Sequence, residues 1–229
     1  MTTWTLDEYA QLIDHTNLHA DATEHDMDVL CEEAVRHHFR MVAINQVQVA
    51  YCAQRLAGTD IHVGAAIAFP LGQTSIAAKV AETRDALARG ATEIDYVVNL
   101  TQVREHRWDY VADEMRQIVA ACNEAGVPSK VIFENCYLTD AEKIELCRIA
   151  REVHPTFVKT STGFGTGGAT VEDVRLMHEH VAGEVLVKAA GGIRDADTFL
   201  AMVNAGARRI GTSAGVAIIE ELANRLARS

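Results

Sequence analysis

Proline is scarce in this chain, three in 229 residues, and no Pro-rich or Ser/Gly-rich stretch divides it. No domain boundary is visible, so residues 1–229 are expected to form one domain. Cysteines stand at 31, 52, 122, 136 and 147, an odd number with no C-x-x-C pair. That argues against a disulfide framework and a zinc knuckle, and it fits a reducing cytoplasm with most thiols packed as small core residues on helices. No run approaches the ~18 consecutive apolar residues of a membrane span. Met1–Ala10 lacks a basic region followed by an apolar run, so no signal peptide is expected. Positive charge is in deficit: 21 Lys and Arg against 32 Asp and Glu give a net −11. A diffuse acidic surface disfavours nucleic acid or anionic membrane as the main partner, and any phosphate must be held by local groups.

What is present is ordinary globular composition, 48% apolar and 23% charged, arranged as a strict alternation. Short β-branched runs cover 12–16, 40–44, 62–68, 93–99, 130–134, 157–160, 185–188 and 209–211. Helical patterns lie between them, at 24–38, 75–89, 110–125, 140–153, 171–181, 195–204 and 215–226. Gly90, Gly126, Gly183 and Gly206 stand where left-handed caps close helices, and Ser75 and Thr139 where N-caps open them. Eight strand–helix units in 229 residues leave about 29 residues for each. A single (β/α)8 TIM barrel of the α/β class is the natural solution. An open doubly wound sheet is the alternative, and the eighth unit counts against it.

Strand side chains alternate, so one set faces the helices and the other the barrel interior. With Ile94, Tyr96 and Val98 toward the helices, Asp95 points inward. With Val158 outward, Lys159 points in. With Val185 and Val187 outward, Lys188 points in. Both lysines sit at the C-terminal ends of their strands, where barrel enzymes keep their chemistry. Buried ammonium groups are costly unless paired or functional. A free lysine of pKa about 10.4 is unprotonated only about 0.04% of the time at pH 7. Desolvation and a cationic neighbour that lower the pKa by about 3 units raise that fraction to about 30%. The pattern suggests a Schiff-base lysine, a lysine that perturbs it, and a carboxylate that moves protons. Lys130, inward at the start of its strand with Glu134 on the same face, reads as structural and paired with a carboxylate.

Three glycine-rich loops follow the last three strands: 161–168, 190–193 and 211–215. Glycine lets backbone N–H groups approach an anion, and a helix N-terminus adds a favourable dipole. The candidate substrate and phosphate contacts are Thr162, Gly163, Gly191, Gly192, Gly211 and Ser213. Gly163, Gly165 and Gly168 also spell G-x-G-x-x-G, but the acidic residue a nicotinamide site wants at the end of the next strand is replaced by Lys188. No histidine or carboxylate cluster has metal spacing, so neither metal nor cofactor is expected. Lys79 and Glu82, three apart on a helix, read as a surface ion pair.

The segments Ile13–Leu18, Phe69–Gly72, Gly90–Asp95, Lys130–Glu134, Phe157–Gly165, Val187–Arg194 and Arg209–Ser213 together resemble the deoxyribose-phosphate aldolase family over nearly the whole chain. The resemblance implies a metal-independent class I aldolase. By motif, Lys159 is its Schiff-base lysine, Lys188 the perturbing neighbour and Asp95 the proton-relay carboxylate. The implied substrates are a sugar phosphate and acetaldehyde: acetaldehyde joins glyceraldehyde 3-phosphate, reversibly giving 2-deoxyribose 5-phosphate, within deoxynucleoside breakdown. A homodimer or higher homo-oligomer is expected, with the number of subunits left open. The chain departs from the family pattern at four places. Gln46 stands for a common Pro, Asn135 for Thr and Ala214 for a second Ser, and no Tyr ends the chain. These bear on phosphate affinity and proton transfer. Two rivals remain: a Schiff-base barrel aldolase with a ketone donor, and a non-catalytic sugar-phosphate binding barrel.

Overall fold

The structure, a computed structural model, describes residues 4–228. Met1–Thr3 and Ser229, which enter the leader and tail readings above, lie outside the described residues.

Eight parallel strands close into a barrel in chain order. They are β1 (Ile13–Asn17), β2 (Met41–Asn45), β3 (His62–Ile67), β4 (Glu93–Val97), β5 (Ser129–Ile132), β6 (Phe157–Lys159), β7 (Leu186–Ala190) and β8 (Ala207–Thr212). The helices, in order, are α1 (Leu6–Ala10), α2 (Glu24–His37), α3 (Val49–Arg55), α4 (Ile76–Ala88), α5 (Leu100–Arg104), α6 (Trp108–Glu124), α7 (Asp140–Val153), α8 (Val171–His180), α9 (Ala196–Ala205) and α10 (Gly215–Leu226). The short α1, α3 and α5 were not foreseen. They run five to seven residues, too few for a periodic pattern to stand out.

Local chemistry sets the boundaries. Ser75 caps α4 by accepting from the Ala78 N–H, and Thr139 forms a capping box with Glu142. Gly206 ends α9 at φ +121°, where a Cβ would strike the His178 ring. Ile94, Tyr96, Val98, Val158 and Val187 are buried in the shell between strands and helices. Period-two alternation therefore turns their neighbours Asp95, Lys159 and Lys188 into the barrel.

Two expectations are corrected. Glu134 does not lie on the strand with Lys130: β5 ends at Ile132, and Glu134 adopts a left-handed backbone at φ +56°. Lys79 does not form a surface pair with Glu82. It is fully buried, bridges Glu114 of α6 at 2.7 Å and donates to the Val97 carbonyl at 2.7 Å. Glu82 instead accepts from the Ala68 N–H at 2.9 Å. Spacing on a helix says which residues share a face, not whether that face meets water; here α6 and the end of β4 cover it.

Candidate active site

The register brings the chemistry together. Lys159 and Lys188 are direct cross-strand partners on β6 and β7, and Asp95 of β4 is the partner of Lys130 on β5. Asp95 is the hub. Its Oδ1 accepts from Lys130 Nζ at 2.7 Å, and its Oδ2 accepts from Lys159 Nζ at 2.9 Å and Lys188 Nζ at 2.7 Å. All four side chains are buried. Gly211 on β8 leaves room for this arrangement, since a Cβ there would come within 3.2 Å of Lys188 Cε.

Burial alone would push the Asp95 carboxyl up, but the ammonium groups of Lys130, Lys159 and Lys188 hold it well below the usual carboxylate range. Burial pulls Lys159 down to about 8; Lys188 and Lys130 add to this, against the opposing charge of Asp95. At pH 7 roughly a tenth of Lys159 is then the free amine, some 200-fold more than for a lysine in water. Lys130 moves the other way. Burial opposes its charge, but Asp95 and Glu93 outweigh it and keep the ammonium form.

Lys159 opens into a cavity of about 270 Å³ at the C-terminal ends of the strands. Thr162, Gly163, Gly191, Gly192, Gly211 and Ser213 all line it, so the three glycine loops and the amine share one chamber. Gly192 has φ +79°, and the space its Cβ would enter is open.

Sequence reasoning missed several contributors. Asp14, Glu93 and Arg209 are buried in the interior beneath the lysines. Glu93 lies two residues before Asp95 and so on the same strand face, a signal that was available. Glu134 accepts from the Thr162 N–H at 3.1 Å and from the Thr162 hydroxyl, fixing the loop beside Lys159. His19 and Arg194 also line the cavity. Among the described residues, no group of three or more His, Cys, Asp and Glu side chains is placed to hold a metal ion.

Residues 9–221 match the DeoC/LacD family aldolase. The chain belongs to that family. It is 62% identical over 223 residues to a deoxyribose-phosphate aldolase of Lactobacillus acidophilus, covering 97% of this chain and 94% of the relative. It is 52% identical over 215 residues to the enzyme of the same name from Bacteroides thetaiotaomicron, covering 94% and 90%. Among solved structures it resembles the tetrameric deoxyribose phosphate aldolase of Aeropyrum pernix, with a TM-score of 0.90 and 31% identity over 96% of this chain and 93% of that one.

Proposed function

We propose that the chain is a class I aldolase that reversibly cleaves 2-deoxy-D-ribose 5-phosphate to acetaldehyde and D-glyceraldehyde 3-phosphate through a Schiff base on Lys159. The observation that carries this reading is a buried amine, drawn down to about 8, at the floor of a cavity rimmed by glycine loops.

In the synthetic direction the Lys159 amine attacks the acetaldehyde carbonyl, and loss of water gives the imine. Asp95 and Lys188, joined through the 2.7 Å hydrogen bond to Oδ2, take up a methyl proton through a water and leave the enamine. The enamine carbon attacks the acceptor aldehyde, whose oxygen is protonated, and water then releases the sugar phosphate and restores the amine. Backbone N–H groups around Gly191, Gly192 and Gly211, with Ser213 and Thr162, hold the phosphate at the start of α10. The chain acts as one domain. Five cysteines in the thiol form support a cytoplasmic location, and the tetrameric relative supports a homo-oligomer. No helix among the described residues is long and apolar enough to cross a membrane.

A donor panel tests the reading. With glyceraldehyde 3-phosphate as acceptor, acetaldehyde should give 2-deoxyribose 5-phosphate, and dihydroxyacetone should give no product. Turnover with the ketone alone would make the chain a ketone-donor aldolase. Binding of the sugar phosphate without cleavage would make it a binding barrel.

A further inference from the structure

Six charged side chains close a ring inside the barrel, with signs alternating around it. Asp95 accepts from Lys130 at 2.7 Å, and Lys130 pairs with Glu93. Glu93 accepts from the Arg209 guanidinium at 3.2 Å, and Arg209 Nε donates to Asp14 Oδ1 at 2.6 Å. Asp14 Oδ2 meets Lys188 Nζ at 2.5 Å, and Lys188 returns to Asp95 at 2.7 Å. Three carboxylates face three cations, so the ring is neutral. Lys159 hangs on Asp95 Oδ2 outside it, a fourth cation with no carboxylate of its own.

Other ionisable groups facing the ring are His62 of β3, 2.8 Å from Glu93, the buried Cys122 thiol of α6, which feels the Lys130 charge, and Glu134 beyond β5, which is engaged by Thr162. From β2 the neighbour is the uncharged Met41, whose sulfur lies 3.6 Å from Lys130 Nζ. Asp14, Glu93, Lys130 and Lys188 are all 0% exposed, so water does little to screen the ring. A surplus buried proton is most readily lost from the cation that lacks a counter-charge.

We propose that Arg209 is a positioning residue for the reaction: by closing the ring it occupies Asp14 and Glu93, so that neither carboxylate is left to hold a proton on Lys159. The proposal rests on the reading of Lys159 as the nucleophile. Arg209 does not touch Lys159; it acts through the Asp14–Lys188 and Glu93–Lys130 contacts. A guanidinium suits the task because it stays charged across the working pH range and its fork reaches two carboxylates at once.

The test is the rate of cyanoborohydride trapping with acetaldehyde, followed against pH on the whole chain. Arg209→Met leaves the ring with one excess negative charge, and the midpoint should rise, by about one pH unit for the loss of one nearby buried charge at an effective dielectric near ~20. At pH 7 trapping should slow about tenfold. Glu93→Gln leaves one excess positive charge, and the midpoint should fall. The double variant is neutral again and should return near wild type, as should Arg209→Lys. Simple structural damage has no reason to move the two single variants in opposite directions. Unchanged midpoints, or shifts of one sign for both, overturn the proposal. If Arg209→Met does not fold, the downward shift in Glu93→Gln and its reversal in the double variant decide. A wild-type chain that is not labelled at Lys159 overturns the nucleophile reading instead.

Discussion

Lys159 and Lys188 donate to the same carboxylate oxygen, Oδ2 of Asp95, at 2.9 and 2.7 Å. Their strands are adjacent and the two residues are in register, so the barrel holds their backbones side by side. Lys188 also holds Asp14 at 2.5 Å, whereas Asp95 is the only carboxylate in contact with Lys159 among the described residues. Lys188 is thus held between two negative charges, and Lys159 is left with a share of one.

Replacing Lys188 with Leu removes a cation from beside Lys159 and leaves the buried cluster one negative charge richer. Lys159 should then hold its proton more tightly. We expect kcat at neutral pH to fall on the order of 10²-fold or more, with part of the loss recovered as pH rises. The measurement is the kcat–pH profile, and a variant whose activity does not respond to alkaline pH would show that Lys188 does not act on the Lys159 proton.

Asp95→Asn separates a structural role from a proton relay. The amide has nearly the same shape but cannot take a proton from the methyl group. Imine trapping should persist, while deuterium exchange into acetaldehyde and cleavage of the sugar phosphate fall by roughly 10² to 10⁴. Wild-type exchange in the Asn variant would contradict the relay. Loss of trapping together with loss of fold would assign Asp95 to stability alone.

The phosphate contacts can be probed at Gly192. Its φ of +79° strains any side chain, and a β-branched one most, so Ala is the informative replacement. The added methyl enters open cavity space where a phosphate would sit against backbone N–H groups. KM for deoxyribose 5-phosphate should rise far more than KM for unphosphorylated deoxyribose. Equal effects on both would place the phosphate elsewhere.

Much of this was legible in the sequence. The barrel followed from eight strand–helix units, and the inward set of Asp95, Lys159 and Lys188 from alternation alone. The glycine loops line one cavity. What was not legible depended on register. Nothing local in Arg209 or Asp14 announces that they meet, because 195 residues separate them and barrel closure between β8 and β1 joins them. Lys79 was misread for the same reason: its partner Glu114 lies on another helix, and only the packing of α4 on α6 makes that face dry. Glu134 was placed on the strand face of Lys130, because nothing in the sequence shows that its left-handed backbone turns it out of the strand pattern.

The Lys79–Glu114 pair gives a stability prediction. Both side chains are fully buried, Lys79 holds the Val97 carbonyl and Glu114 holds the Asn99 N–H at 3.0 Å. Lys79→Met leaves an unpaired carboxylate in the interior and should cost about 3–5 kcal/mol. Lys79→Met with Glu114→Leu should cost less than the single change. Urea denaturation measures both, and a single variant within about 1 kcal/mol of wild type would mean the pair does not hold this corner of the barrel.

The central claim is that Lys159, and no other lysine, carries the imine. Borohydride reduction in the presence of acetaldehyde, followed by mass mapping of the peptides, tests it directly. The account predicts a two-carbon ethyl group on the peptide containing Lys159, with labelling that rises with pH through a midpoint near 8. Label on Lys188 or Lys130, or on no lysine at all, would contradict it.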